Sequence, residues 1–232
     1  SYSATPPDFG ALLIQRRRWA NGGLIILPKL LRHLVRRRRD AGSREGLMRV
    51  HYLTSISGAN VGLLVLLSYP FSAAEGAAWL PVAAVPYFLL YARDLHLAGY
   101  SYADVLRVYA LNLLLIPVNL AGVLKSLHQG VSGHKIPFGR TPKIEGRTRT
   151  PRRYLVAELV LLAYWSMGLV SDLFATRWGH AAFQAVNVAL LSYAVTRFIG
   201  WHQLVADLRP RPRAVKKADQ ADSAGAINRA AA

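Results

Sequence analysis

Five long apolar stretches restrict what this chain can fold into more than any other feature of its sequence. Crossing about 30 Å of hydrocarbon takes roughly 20 helical residues, and charges inside such a span are costly. A strongly basic segment precedes the first stretch, and another separates the third from the fourth. The stretches cover about residues 52–72, 77–92, 103–124, 154–174 and 181–201. The pattern predicts an all-α membrane protein.

The overall composition supports the same class. The chain is 53% hydrophobic and carries 29 Lys and Arg against 12 Asp and Glu, a net charge of +17. Basic segments between apolar stretches suit loops that face anionic lipid, and they argue against a soluble domain that binds nucleic acid. The chain has no cysteine, which excludes disulfides and thiolate metal sites, and its seven histidines lack zinc-binding spacings. We therefore expect no metal site within the chain.

The positive charges also predict the topology. Residues 15–39 contain nine Lys or Arg and no acid, and residues 125–153 contain eight and one acid. Both segments should stay on the cytoplasmic side, so an odd number of spans cannot join them. We expect residues 103–124 not to cross, because Asp104 and Arg107 make that stretch polar, and to form an interfacial or re-entrant helix. About four transmembrane helices remain, with both chain ends in the cytoplasm.

These considerations divide the chain into five regions. Thr5 is the expected N-cap of a first amphipathic helix, Asn21-Gly22-Gly23 is its expected stop signal, and a second amphipathic helix should follow. The regions are cytoplasmic-face interfacial helices at 1–50, two transmembrane helices and an interfacial or re-entrant helix at 51–124, a cytoplasmic loop at 125–153, two transmembrane helices at 154–201, and a basic disordered tail at 202–232.

The run QRRRW at residues 15–19 holds the first group of candidate binding residues. In a helix Gln15, Arg18 and Trp19 project from one face, whereas Arg16 and Arg17 should point elsewhere. An amide and a planar guanidinium suit a diphosphate, and a flat indole suits the apolar face of a sugar ring. The combination favours a nucleotide-sugar and its acceptor, with an ordinary basic interfacial helix as the alternative.

QRRRW resembles the Q-x-x-R-W signature of processive family 2 glycosyltransferases, the membrane enzymes similar to cellulose, chitin and hyaluronan synthases. The resemblance implies a helix at the cytoplasmic membrane surface beneath the active site. In that arrangement Gln15 and Arg18 would help hold the diphosphate, and Trp19 would contact the acceptor end of the growing glycan.

The run FGRTPK at residues 138–143 resembles the gating loop of cellulose-synthase-like enzymes, F-x-V-T-x-K. Phe138, Thr141 and Lys143 match by position, while Arg140 stands where the family has Val. The resemblance implies a loop that closes the catalytic pocket over bound nucleotide. The Thr hydroxyl and the Lys ammonium are donors suited to phosphate oxygens, and a closing loop excludes water during transfer. The alternative is a basic loop that only sets topology.

Together the two motifs imply an inverting transferase that makes a β-linked polysaccharide from a UDP-sugar, first of all UDP-glucose, and translocates it. The family's D-x-D and T-E-D motifs, which bind the metal and supply the base, are absent from the sequence. The resemblance therefore implies that a divalent cation, Mg or Mn, and all catalytic residues belong to an N-terminal GT-A domain outside this chain. We expect this C-terminal piece to be inactive alone, and to work in a bacterial inner membrane with UDP-sugar, glycan and lipids as its partners and no nucleic acid.

Four residues of the last two stretches are candidates for lining a glycan channel: Glu158, Trp165, Asp172 and Asn187. Charges within spans usually face the interior of the bundle. For Glu158, an ion pair with Arg153 or Arg197 near the inner surface is the alternative. For the whole chain, the alternative is a non-catalytic membrane subunit or channel that binds anionic lipid through its basic loops.

Overall fold

The computed structural model describes residues 6–36, 42–68, 80–133 and 147–210, and these contain helices and no strand. The predicted all-α class is therefore confirmed for the described part of the chain. In chain order the helices are α1 (Phe9–Arg36), α2 (Ser43–Ser68), α3 (Leu80–Leu97), α4 (Tyr102–Leu114), α5 (Ile116–Ser132), α6 (Arg152–Phe174), α7 (Trp178–Ala194), a π-helix (Val195–Ile199) and α8 (Trp201–Leu208).

Two helices of the described residues are long and apolar enough to cross a membrane. They are α6 and the continuous helix formed by α7 and the π-helix, Trp178–Ile199. The pair α4 and α5 would add a third if it counts as one span, although the two axes are bent by 50°. The chain thus has two to three candidate spans in this part, as a membrane protein should. The predicted total of four stays a prediction.

The bend between α4 and α5 follows from the sequence. Pro117 lies in the first turn of α5 and lacks the backbone N–H that a continuous helix would need there. Leu115, between the two helices, is fully buried, as are Leu114 and Ile116 on either side. The bend therefore lies inside the bundle, where α5 changes direction toward α1.

The first helix differs from the prediction at both ends. It begins at Phe9, where Oδ1 of Asp8 accepts a hydrogen bond from the backbone N–H of Ala11 at 2.8 Å. Asp8 therefore caps the helix, and the predicted N-cap, Thr5, lies outside the described residues. The predicted stop at Asn21-Gly22-Gly23 is wrong, because α1 continues unbroken to Arg36.

Close packing against α2 explains why α1 continues through two glycines. A Cβ atom added to Gly23 would lie 2.6 Å from the backbone carbonyl oxygen of Leu53. Farther along, a Cβ atom at Gly46 of α2 would lie 3.0 Å from a methyl carbon of Leu34. The two helices thus form an antiparallel pair in which Gly23 permits close backbone contact, a role that does not require the helix to end.

The core lies where α1, α4, α5, α6 and α7 meet. Its fully buried members are aliphatic except for the indole of Trp165 on α6. They include Leu113, Leu114, Leu115, Ile116, Leu155 and Leu191. This core fixes α1 against the two candidate spans.

The end of the last span has two irregular features. The π-helix Val195–Ile199 widens its final turn, and Gly200 follows with a φ of 81° and a ψ of 142°. Glycine reaches that backbone conformation without the steric cost that a Cβ atom would bring. The chain then enters α8, which buries Leu204 and Asp207.

Candidate functional site

The QRRRW run lies in the interior of α1, so its residues have the helical spacing that the sequence predicts. Gln15, Arg18 and Trp19 are therefore on neighbouring positions of one helix face. The indole of Trp19 is 51% exposed, whereas Gln15 and Arg18 are partly buried. An exposed indole next to an amide and a guanidinium can contact a ligand without rearrangement of the helix.

Arg16 is also next to Trp19, contrary to the expectation that it points elsewhere. Its guanidinium carbon lies 5.1 Å from the centroid of the Trp19 ring, within range of a cation–π contact. The physical reason is the i, i+3 spacing of the two residues, which also makes them neighbours on a helix. Burial lowers the pKa of the Arg16 guanidinium, and the charge of nearby Tyr91 opposes that shift.

Two arginines of this run have unused hydrogen-bonding capacity. The Nε atoms of Arg16 and Arg17 are shielded from solvent and have no hydrogen-bond partner among the described residues. Buried polar groups are normally satisfied, and a guanidinium is best satisfied by carboxylate or phosphate oxygens. The chemistry of this part of α1 is therefore that of a surface which lacks an anion.

Backbone contacts hold this part of α1 in place. A Cβ atom added to Gly122 of α5 would lie 2.6 Å from Cβ of Ala20 and 2.9 Å from the carbonyl oxygen of Arg17. At the start of α1, a Cβ atom added to Gly10 would lie 2.2 Å from the carbonyl oxygen of Thr148. Only hydrogen fits at both places, so α1 touches α5 and the segment before α6 at backbone distance.

That segment, residues 147–150, is anchored by two acids from distant parts of the chain. At α1, Oδ2 of Asp8 accepts a hydrogen bond from the backbone N–H of Thr148 at 2.7 Å. At α8, Oδ2 of Asp207 accepts one from the backbone N–H of Thr150 at 3.0 Å and forms an ion pair with Arg147. Arg149 donates to the carbonyl oxygen of Ala206 at 2.9 Å. The segment that leads into α6 is therefore fixed to both α1 and α8.

The second group of predicted site residues lies outside the described part of the chain. Phe138, Thr141 and Lys143 fall between α5, which ends at Ser132, and the segment 147–150. Their roles at the nucleotide stay predictions.

Asp172, a candidate channel residue, belongs to a buried ion-pair cluster at the turn between α6 and α7. Its Oδ1 lies 2.7 Å from Nε of Arg177, and its Oδ2 contacts Nδ1 of His180. Asp172 is 1% exposed and His180 is 3% exposed. The three side chains connect the end of α6 to the first turn of α7, so this carboxylate has partners within the protein.

The other three candidate channel residues are also buried. Asn187 accepts a hydrogen bond from the hydroxyl of Tyr109 at 2.6 Å, which connects α7 to α4. In the described part of the chain Glu158 forms no ion pair, so the alternative pairing with Arg153 or Arg197 is not present. The reason is that Glu158 faces the interior of the bundle at 2% exposure, whereas both arginines are exposed.

The inner face of α6 has polar atoms without partners. Oε2 of Glu158 and Nε1 of Trp165 are buried and have no hydrogen-bond partner among the described residues, and the hydroxyl of Tyr154 shares this property. The three residues are four and seven positions apart, close to whole numbers of helical turns, so they lie along one side of α6. Water or ligand hydroxyls would satisfy them. The channel role of the four candidates stays a prediction.

Sequence analysis missed several residues that the structure connects. Asp8 carries a recognisable signal, since an acid directly before an apolar helical run is a common cap. His180, Tyr109 and Asp207 carry none, because their partners are distant or lie on another helix. Within the described ranges, no three His, Cys, Asp or Glu side chains come together as metal ligands. The expected Mg or Mn therefore has no proposed ligands in this chain.

Comparisons with protein-family models, with curated proteins and with solved structures find no match to this chain.

Proposed function

We propose that this chain is the membrane portion of an inverting family 2 glycosyltransferase. The complete enzyme would make a β-linked polysaccharide from a UDP-sugar, with UDP-glucose as the first candidate, and pass the product between its own transmembrane helices. A GT-A domain outside this chain would supply the general base and the ligands of the divalent cation. This chain would supply the acceptor and diphosphate contacts, and without that domain it would be inactive.

The observation that carries the proposal is the exposed indole of Trp19 beside arginines that lack an anion. An indole offers a flat apolar surface for the acceptor sugar, while Gln15 and Arg18 offer donors to the diphosphate. The unsatisfied Nε atoms of Arg16 and Arg17 add to the demand for negative charge at this place. A basic interfacial helix would need neither the shielded donors nor the indole.

The loop with Phe138, Thr141 and Lys143 would close over the nucleotide in the same cavity. Support for this comes from the end of that loop, where Asp8 hydrogen-bonds Thr148 at the first turn of the QRRRW helix. A segment that is fixed to α1 has its start close to the proposed diphosphate site. The loop could then reach the site without movement of a transmembrane helix.

For the topology we propose four spans with both chain ends in the cytoplasm of a bacterial cell. α2 and α3 would form the first pair of spans, and α6 and α7 the second. The bent pair α4 and α5 would stay at the inner face as a re-entrant or interfacial element, because a 50° bend suits a segment that does not cross. This arrangement keeps α1 and the segment 125–153 on the cytoplasmic side, as their charges require.

Polymer synthesis by the complete protein tests the acceptor role. The Trp19→Ala variant, measured in liposomes with radiolabelled UDP-glucose, should lose polymer synthesis and keep membrane insertion and UDP affinity. Trp201→Ala is the matched control, because Trp201 is 61% exposed and lies outside the proposed site. It should leave synthesis unchanged. Normal synthesis by Trp19→Ala would remove the acceptor role.

UDP affinity tests the loop separately. Lys143→Ala should weaken UDP binding by about tenfold, as the loss of one charge-assisted contact of about 1.4 kcal/mol would do. It should change acceptor binding little. An unchanged UDP affinity would count against the loop assignment, and a complete protein that turns over no UDP-sugar would favour the non-catalytic subunit.

A further inference from the structure

A groove between the second half of α1 and the first half of α2 is separate from the proposed catalytic face. Its volume is about 400 Å³, within the range of about 300–1,000 Å³ that is usual for ligand pockets. Its apolar lining consists of Ile26, Leu30, Met48, Tyr52 and Leu53. The ion pair of Arg49 with Glu45 completes the lining, and both side chains are more than half exposed.

Large apolar side chains around the groove point outward. The seven most evident are each between 41% and 79% exposed, and soluble surfaces rarely gather so many in one place. They are Ile25, Ile26, Leu31, Val35, Leu47, Met48 and Tyr52. A helical pair with such a surface is suited to the boundary between lipid headgroups and acyl chains.

The charge around the groove selects the kind of lipid. Residues 24–36 and 42–53 contain five Lys or Arg, all exposed, and a single acid, Glu45, which Arg49 already engages. The cations are Lys29, Arg32, Arg36, Arg44 and Arg49. A cationic surface of this kind attracts anionic headgroups and discriminates against zwitterionic ones.

We propose that this groove binds one acyl chain of an anionic phospholipid, whose headgroup phosphate lies at Arg49. The apolar lining receives the chain, and the surplus of positive charge holds the headgroup. An apolar segment of a protein partner would fill the groove equally well, but it would make no use of these cations. The site does not depend on the proposed glycosyltransferase function, and its test uses no UDP-sugar.

Native mass spectrometry of the detergent-purified protein tests the apolar part of the site. The wild type, given dioleoyl-phosphatidylglycerol, should retain one lipid through delipidating washes. Met48→Trp fills the groove and should weaken retention by about tenfold. Leu47→Trp is the matched control, since Leu47 is 69% exposed and Met48 63% exposed, and only Met48 lines the groove. It should bind as the wild type does.

A second pair of variants tests the headgroup. Arg49→Gln and Arg107→Gln each remove one exposed arginine that is paired with an acid of the preceding turn. Arg49→Gln should lose the preference for dioleoyl-phosphatidylglycerol over dioleoyl-phosphatidylcholine, and Arg107→Gln should keep it. Because the two variants change the net charge equally, a difference between them locates the headgroup at the groove.

Three outcomes would overturn the proposal. One is equal lipid retention by Met48→Trp and Leu47→Trp, and another is equal retention of the two lipids by the wild type. The third is a wild-type particle that contains a second protein chain and no retained lipid, which would assign the groove to a protein partner.

Discussion

Replacing Gly23 by Ala and, separately, Gly22 by Ala tests how α1 packs in its middle. The two residues are adjacent in the interior of one helix, so their intrinsic helix propensities change by the same amount. A Cβ atom at Gly22 has nothing within 4 Å, whereas a Cβ atom at Gly23 would lie 2.6 Å from the carbonyl oxygen of Leu53. The pair therefore separates the packing contribution from the propensity contribution.

The magnitudes follow from these distances. Ala is more favourable than Gly in a helix interior by about 0.8–1.0 kcal/mol, so Gly22→Ala should stabilise the protein by about that amount. At Gly23 the opposing atom belongs to the backbone and cannot rotate away, and overpacking of this kind costs about 1–3 kcal/mol. The free energy of unfolding of Gly23→Ala should thus fall below that of Gly22→Ala by about 1–3 kcal/mol.

Equilibrium unfolding of the purified protein in mixed detergent, followed by far-UV circular dichroism, measures both variants. Equal shifts for the two variants would refute the close contact between α1 and α2. Destabilisation by both would refute the continuous helix, because a turn at Asn21-Gly22-Gly23 would need glycine for its backbone angles. Only a stabilised Gly22→Ala together with a weaker Gly23→Ala agrees with the packing described.

Three further predictions concern stability in the same assay. Asp8→Ala removes a helix cap and leaves the N–H of Thr148 without an acceptor, so it should lower the free energy of unfolding by about 1–3 kcal/mol; no loss would contradict the anchoring of the segment 147–150. Gly122→Ala should be less stable than its control Gly130→Ala by about 1–3 kcal/mol, because only the first Cβ meets a neighbouring helix, and equal stabilities would argue against that contact. Thr176 has a φ of 56°, so Thr176→Gly should raise the free energy of unfolding by about 1 kcal/mol, and a lower value would show that its hydroxyl contributes more than the strain costs.

The spans were the most predictable part of the fold. The apolar stretch 154–174 corresponds to α6 at Arg152–Phe174, and the stretch 181–201 corresponds to the helix Trp178–Ile199. Length and apolarity are properties of the segment itself, so they can be recognised without knowledge of its neighbours. The same holds for the helical spacing of QRRRW.

The course of α1 was less predictable because glycine has two opposite uses. It ends helices by adopting positive φ, and it permits close approach of two backbones within helices. Gly23 serves the second use, and the atom that decides this belongs to Leu53, thirty positions away. Local sequence contains no sign of that contact.

Side-chain partners were the least predictable part of the candidate site. Asp172 could be recognised as a charge within a span, but its contact with His180 depends on the turn that joins α6 to α7. The hydrogen bond between Asp8 and Thr148 joins residues 140 positions apart. Such contacts result from the packing of whole helices, and a periodic pattern within one helix does not specify them.

The π-helix at Val195–Ile199 sets the rotational phase of everything that follows it. One residue is accommodated there beyond the α-helical number, and a helical residue corresponds to about 100° of rotation. Deleting a single residue from this turn would restore regular winding and rotate α8 by roughly that angle about the span axis. The carboxylate of Asp207 would then leave Thr150 and Arg147, although no atom of that contact had been altered.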